Sequence, residues 1–408
     1  MRRAAQVSTT LLFGLLLAAC RDDRPAPTAP LAPPDRANDI IVSTTDTRGQ
    51  PVAGLSSSEL AAFTRGQVQF ERTFTQAGGL GPIFNASSCA ECHGEEEGPV
   101  GGTGDEVETH FTNRRSDGSC DHLTNKGGFV HQDSVTPKLF AATGLTSEPF
   151  PSVTHQRGTR TTPDLFGFGL LAAVPNSALL NAEDPYDFNY DGITGYAIRT
   201  PDGDLGKFGR KAQEGSLTLF NAGALLQEMG ITNKFNLTEN NIGGAPIPAG
   251  VDPAAEPEIT NAQFDDLNSF VIFLAPPSQL PLTTQASTGK TLFSQIGCTG
   301  CHTPQFTTTD VGIPALSYKK IAAFTDLLVH DMGPGLADIC LGQAFQSEFR
   351  TEPLMGVRFM EQFLHDGRAT TVEQAISFHG GEGSGARTRF NSLTSTQRAA
   401  VVAYVNSL

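Results

Sequence analysis

The chain of 408 residues contains no tryptophan, so no electron or radical can travel through an indole ring. Basic residues are scarce: 28 Lys and Arg stand against 43 Asp and Glu, for a formal net charge of −15. They form no cluster that would give the electrostatic footprint of a nucleic-acid binder, and that class is excluded. An acidic surface suits a soluble, basic protein partner instead. The apolar run near the N-terminus, Leu11 to Ala19, falls short of the ~20 residues that a membrane-crossing helix needs. Cysteine is sparse as well, and each of the seven can be assigned a use.

What is present begins with an export signal. Arg2 and Arg3 precede the apolar run, and Leu17-Ala18-Ala19-Cys20 closes it, the pattern of a signal peptide over residues 1–19. The Leu-Ala-Ala-Cys ending resembles a bacterial lipobox, which implies cleavage before Cys20 and lipidation of its thiol and amine. The alternative is an ordinary secretory signal that happens to contain a Cys. Acyl chains at roughly 0.8 kcal/mol per buried methylene would anchor the protein to a membrane. Arg21, not Asp, follows the Cys, which favours the outer membrane. The expected location is periplasm-facing and lipid-anchored, with residues 20–50 holding the lipidated Cys and a Pro-rich tether.

Two short motifs organise the rest. Cys89-Ala90-Glu91-Cys92-His93 and Cys298-Thr299-Gly300-Cys301-His302 are both C-x-x-C-H, the c-type haem attachment pattern. Two intervening residues place both sulfurs along one porphyrin edge, and the adjacent imidazole falls under the iron. Zinc and thiol-redox sites also use C-x-x-C, but a His after both copies in an exported chain points to a pair of covalent haems. Cys120 and Cys340 remain. In an oxidising compartment they pair as a disulfide or stay as two buried thiols.

The length exceeds the ~250–300 residues at which single cores stop growing, so two domains are expected, 51–277 and 285–408. Ser56-x-x-Glu59 is a capping-box pattern, and Leu60, Phe63, Phe70 and Phe74 follow at helical spacing ahead of the first motif. Residues 94–160, rich in Gly, Ser, Thr and charge, read as long loops. A helix is expected near Phe264, Leu267, Val271 and Leu274, stopped by Pro276-Pro277. Gly289 to Phe293 repeats the Gly66 to Phe70 spacing before the second motif. Thr394-x-x-Gln397 then caps a terminal helix bearing Val401, Tyr404, Val405 and Leu408. A helix before each haem site and another at the end is a cytochrome c plan. The fold expected is mainly α, two cytochrome c-like domains with long loops, each carrying one covalent haem.

Several stretches carry a resemblance. They include GLGPIFNASSCAECH (79–93), RTTPDLFGFGLLAAVP (160–175), KFGRKAQEGSLTLFNAGALLQEMGITN (207–233), LLVHDMGPGLAD (327–338) and FRTEPLMGVRFMEQFLHDGRATTVEQAISFHGGEG (349–383). Their order around two haem motifs resembles the di-haem oxidoreductases related to bacterial di-haem cytochrome c peroxidases and MauG, whose members carry labels such as peroxidase or thiol oxidoreductase. Fold alone does not fix their chemistry.

His93 and His302 are the proximal iron ligands by motif. For the second haem, Thr370-x-x-Glu373 reads as a capping box that puts Val372, Ile376 and His379 on one helical face. His379 is the leading distal ligand, where the relatives resemble this segment with a Met. Such a His is otherwise a satisfied core residue. Met332 is the fallback, and the choice matters because Met/His ligation raises a haem potential. The resemblance places His365 in the second haem pocket; its alternative is a structural hydrogen bond. For the first haem, His110 is the distal candidate, with His131, His155 and an open site as alternatives. The resemblance makes Glu228 the acid–base group of peroxide cleavage, a role that suits a carboxyl whose pKa a poorly solvated pocket raises; otherwise it is a solvated helix-end carboxylate. Phe208 is the nearest aromatic to the place where the relatives hold a Trp, and Arg210 stands at that place. Asp187-x-Asn189-x-Asp191-Gly192 matches half of a calcium loop, but Ile198 occupies the twelfth position where Glu is needed. An Asx-rich turn is the competing reading to a calcium cofactor.

These expectations converge on an exported di-haem c-type oxidoreductase that reduces hydrogen peroxide. Electrons would pass from a periplasmic donor through the C-terminal haem to the N-terminal one. The alternatives are an electron-transfer cytochrome with two six-coordinate haems, or an oxidase of thiols, metal ions or protein side chains.

Overall fold

The computed structural model describes residues 48–94, 100–102 and 107–408. The signal peptide, Cys20 and most of the tether lie outside the described residues. The helices that position the site are α1 (Ser57–Phe70), α2 (Leu217–Met229), α3 (Asn261–Phe273), α4 (Thr284–Gln295), α5 (Val372–Phe378) and α6 (Ser395–Val405). The strands used below are β1 (Val107–Arg114), β2 (Cys120–Asp121), β3 (Gln156–Thr161), β4 (Val329–Asp331) and β5 (Glu348–Arg350).

Local sequence sets the helix starts. Ser56 Oγ accepts the Glu59 amide at 3.3 Å and Glu59 Oε2 accepts the Ser56 amide at 2.6 Å, so two orphan donors of α1 are satisfied reciprocally. Thr260/Gln263 and Thr394/Gln397 do the same for α3 and α6. Helix α3 ends at Phe273, ahead of Pro276-Pro277, as its sequence predicts. The buried stripe of α1 is narrower than its spacing suggests. Leu60 is 46% exposed, and Phe74 lies past the helix end in a different cluster with α2.

Two helix crossings repeat one device. A Cβ added at Gly66 would lie 2.0 Å from the Asp266 carbonyl oxygen of α3, and one at Gly289 would lie 1.8 Å from the Ala400 carbonyl oxygen of α6. Only glycine permits backbones this close. Four residues on, Phe70 and Phe293 reach the two motif histidines, with ring centroids 6.2 Å from His93 and 6.4 Å from His302. The repeat seen in sequence is thus a repeated structural unit.

The 94–160 stretch departs from the loop expectation. Strand β1 pairs antiparallel with β3, Glu108 opposite Arg160 and His110 opposite Gly158, and β2 flanks its far end. A short helix, Pro137–Thr143, follows. The strand pattern is hidden because its buried face is partly polar: His110, Thr112 and Arg160 are all buried. Helix α5 also begins one residue later than its motif predicts. Thr371 is the cap, and Gln374 Oε1 accepts the Thr370 amide at 2.8 Å, while Glu373 pairs with Arg398 at 3.2 Å.

The largest hydrophobic cluster joins Phe63, Phe70, Phe166 and Phe270 to Phe306, Leu316 and Leu328 from beyond residue 287. A second surrounds α4 and α6 with Phe324 and Phe390. A third packs Ala222, Leu225 and Met229 of α2 on Phe74 and Phe264, and Cys89 rests against it.

Candidate functional site

Cys89 to Cys92 form a single helical turn capped by Ser88, and the His93 amide closes it on the Cys89 carbonyl at 2.9 Å. Neutral imidazole must donate to a carbonyl, and His93 Nδ1 lies 3.1 Å from the Pro163 carbonyl oxygen, so Nε2 is the ligating atom it offers. Burial pushes His93 down to about 4, against the opposing pull of the Gly102 and Pro163 carbonyls. The second motif repeats this. His302 Nδ1 faces the Phe324 carbonyl at 2.9 Å, and burial holds the ring down to about 4. Phe324 has φ 50°, an uncommon conformation for a bulky residue, and it delivers that carbonyl.

Thiol state separates the cysteines into two groups. Cys120 and Cys340 form a disulfide, whereas Cys89, Cys92, Cys298 and Cys301 are free. Burial pushes the Cys89 and Cys298 thiols up to about 12, the opposite of the low-pKa thiolates that redox centres use.

Glu228 is the penultimate residue of α2, and the fold brings it to the first motif. Asn85, four residues before Cys89, donates from Nδ2 to Glu228 Oε2 at 2.9 Å, and its amide binds the Glu228 carbonyl at 2.7 Å. The Asp133 amide fixes Asn85 through Oδ1 at 2.9 Å. Beside it lies Glu108, hydrogen-bonded to Glu228, with His110 Nε2 on Glu108 Oε1. Burial first, then the like charge of Glu108, raises the Glu228 carboxyl well above its ordinary value. Burial also raises Glu108, while the Glu228 hydrogen bond and the charges of Arg160 and Arg210 hold it down. The arrangement is a carboxyl pair that shares a proton, with Glu228 as donor and Glu108 as acceptor. The sequence singled out Glu228 and His110 but not Glu108 or Asn85. Glu108 and His110 stand two apart on one strand face, a signal masked by the loop reading.

The remaining histidines are placed as follows. His131 is buried and stacked on Phe150 at 4.1 Å, with Nε2 2.7 Å from the Glu148 carbonyl and Nδ1 2.8 Å from Asp133 Oδ1. Nε2 is taken up by that carbonyl, while Nδ1 faces the carboxylate without a hydrogen bond. His155 is exposed and bonds Asn113. His365 stacks on Phe349 at 4.2 Å and lines a cleft of about 320 Å³ with Arg157, Asp338, Asp366 and Arg368. His330, absent from the sequence reading, is buried between Asp326 (2.9 Å) and Glu382 (2.8 Å), with Cys301 Sγ at 3.8 Å. Despite burial, these partners raise its pKa well above the ordinary value. The calcium-like segment is an Asx turn: Asp187, Asn189 and Asp191 accept the amides of Gly192, Asp191 and Ile193.

Residues 145–408 match the model of the family described as "Di-haem oxidoreductase, putative peroxidase". The chain belongs to this di-haem oxidoreductase family. A 92-residue segment is 27% identical to the cytochrome c551 peroxidase of Nitrosomonas europaea, spanning 22% of this chain and 26% of that protein. Among solved structures, hydrazine synthase of Kuenenia stuttgartiensis aligns over 93% of this chain and 100% of its own at 15% identity, TM-score 0.42. The diheme peroxidase BthA of Burkholderia thailandensis aligns over 92% and 93%, at 17% identity and TM-score 0.40.

As a member of the di-haem oxidoreductase family the protein has two haem cofactors, and its residues fit them. Four thiols stay free while the other two pair, and each motif His is oriented by a carbonyl through Nδ1. His379 follows α5 with Nδ1 2.9 Å from the Ala375 carbonyl, and burial holds its pKa below the ordinary value. Met332 Cε and His379 Cβ flank Gly383, at 3.3 and 3.1 Å from the position a Cβ would take there. Both distal candidates of the second site therefore sit on one side of the same glycine. Where relatives resemble this segment with a Trp, Arg210 donates to the Thr161 carbonyl at 3.1 Å and pairs with Glu352 at 3.0 Å, which also holds Arg350 at 2.8 Å. Phe208 is buried, 5.8 Å from Phe168.

Proposed function

We propose that this oxidoreductase is an exported c-type enzyme that reduces hydrogen peroxide at the N-terminal haem site, with electrons entering at the C-terminal one. The observation that carries this reading is the Glu108–Glu228 pair beside the first attachment motif. Haem at each motif, joined by thioethers to Cys89 and Cys92 or to Cys298 and Cys301, supplies the one-electron chemistry. The protein moves the protons.

Hydrogen peroxide takes up two electrons and two protons to become two waters. Cleaving the O–O bond moves one proton off the near oxygen and puts one on the leaving oxygen, which a carboxyl pair holding one proton suits. The two protons of the overall reaction then come from solvent. The ionised Glu108 accepts a proton from the near peroxide oxygen, and Glu228 releases one to the leaving oxygen. Asn85 fixes the Glu228 head at 2.9 Å, and the Glu228 hydrogen bond and the charges of Arg160 and Arg210 oppose the rise that burial gives the Glu108 carboxyl. His110, pushed down to about 3 by burial, stays neutral and positions Glu108 through Nε2.

Export supports the same reading. The Cys120–Cys340 disulfide suits an oxidising compartment, and Cys20 lies in the lipobox-like sequence, so the periplasmic face of an outer membrane is the proposed location. The test is peroxide consumption by the haem-loaded protein with ascorbate and a small mediator as reductant. The reading expects two electron equivalents consumed per peroxide and two haems retained after denaturation. No peroxide-dependent oxidation of the reductant, or haem lost on denaturation, would overturn it.

A further inference from the structure

The chain carries a formal net charge of −15, yet one cleft inverts that sign. Strand β3 brings Arg157 and Thr159 to it, strand β1 brings Thr109, and two distant turns bring Asp338, His365, Asp366 and Arg368. Arg160 and Lys211, both buried, converge on the same Asp338. Four cations (Arg157, Arg160, Lys211 and Arg368) thus gather around two carboxylates, Asp338 and Asp366. A cleft with a surplus of one sign focuses its field and concentrates the opposite ion.

The two carboxylates are already committed. Asp338 receives Arg160 on Oδ2 and Lys211 on Oδ1, the latter at 3.2 Å. Asp366 accepts Arg368 Nε at 2.6 Å, and Nη2 of the same guanidinium closes the fork. Donor capacity is left over. Arg157 pairs with no carboxylate among the described residues; its guanidinium lies 3.5 Å from the Phe150 ring centre, a contact that steadies it. Arg160 Nη2 is buried without a hydrogen-bond partner, and a buried donor left unpaired is costly. His365, stacked on Phe349, is pushed down to about 3, first by burial, so it stands there as a neutral ring.

Size narrows the ligand. The cleft encloses about 320 Å³, the small end of the ~300–1,000 Å³ of ligand sites. That is room for a phosphate or a few-carbon acid. We propose that this cleft is a binding site for a small oxyanion, a dicarboxylate or a phosphate, gripped by Arg157 and Arg368. The planar guanidinium fork matches either head group bidentately. An anion held there ties the β1–β3 strand pair, which carries Glu108 and His110, to the 365–368 turn of the C-terminal half. None of these observations depends on the peroxide reading. A haem propionate carries the same carboxylate chemistry as a free acid, and the experiment separates the two sources.

Haem-loaded protein, dialysed free of phosphate, is titrated by calorimetry at low ionic strength with inorganic phosphate and, separately, with succinate. A crystal structure is determined without either anion. At least one of the two should bind the wild type with a Kd below about 1 mM. Arg157→Gln, a change at an exposed side chain, should weaken it at least tenfold, and Arg157→Lys, which keeps the charge but not the fork, by less. The bound anion should raise the Tm of the wild type and not that of Arg157→Gln. If neither anion binds and a haem propionate touches Arg157 or Arg368 in the crystal, the oxyanion is the propionate and the assignment of the cleft stands. Neither anion binding, with no propionate in the cleft, would overturn the proposal, as would equal binding by the wild type and Arg157→Gln.

Discussion

Replacing Glu228 with Gln isolates the proton from the shape. The amide keeps the size of the carboxyl, its oxygen still accepts from Asn85 Nδ2, now 2.9 Å from Glu228 Oε2, and its NH₂ still donates to Glu108. The cluster stays assembled, and the haem spectra should not change. What disappears is the proton that Glu228 holds, because burial and Glu108 raise its pKa well above the carboxylate range. General acid–base groups contribute roughly 10²–10⁴-fold, which at about 1.36 kcal/mol per tenfold is about 2.7–5.5 kcal/mol of barrier. Glu108 keeps one titratable carboxyl at the site, which favours the lower end, about 10²-fold. The assay is stopped-flow peroxide turnover with a small reductant across pH. Glu108→Gln removes the proton acceptor, so its rate should fall as well, and the pH profile of the residual activity supplies the complementary result. Without that neighbouring charge Glu228 ionises at lower pH, so activity that needs its acid form should fall away at lower pH than in the wild type. A rate for Glu228→Gln within about threefold of wild type, or an unmoved alkaline limb for Glu108→Gln, would refute the shared-proton account.

Further outcomes concern stability. Gly289→Ala places a methyl 1.8 Å from the Ala400 carbonyl oxygen and should cost at least the ~1–3 kcal/mol of overpacking, read as a lower urea midpoint. Cys120→Ser/Cys340→Ser opens a bridge across 220 residues and should cost about 2–5 kcal/mol by the same measurement, with reducing agent removing the difference from wild type. Glu382, though burial alone would raise it, is held down to about 2 by His330 and Thr194. A depressed carboxylate contributes stability above its unfolded pKa near 4.5 that is lost as pH falls towards 2. Glu382→Gln should therefore flatten the fall in Tm between about pH 4.5 and pH 2, and a parallel acid limb in both proteins would contradict the assignment.

The parts of the molecule legible in sequence were those whose meaning is local. The Ser56 and Thr394 caps and the Gly-to-Phe spacing before each C-x-x-C-H motif all act within a few residues and appear where their patterns predict. The Thr370 cap is displaced by one residue to Thr371. Glu228 was legible only through resemblance. Glu108, Asn85 and His330 were not legible, because their roles arise from contacts far along the chain. Asn85 and Glu228 are 143 residues apart, and His330 and Glu382 are 52 apart. Strand β1 escaped detection because a strand whose buried face carries His110 and Thr112 lacks the apolar alternation by which half-buried strands are read. The same polar burial that hid the strand built the site.

The measurement that bears most directly on the central claim is low-temperature EPR with a visible spectrum of the haem-loaded protein, as isolated and half-reduced, before and after peroxide. The account predicts one high-spin centre whose signal collapses when peroxide is added. Two low-spin centres, unmoved by peroxide in either state, would contradict it and leave an electron carrier.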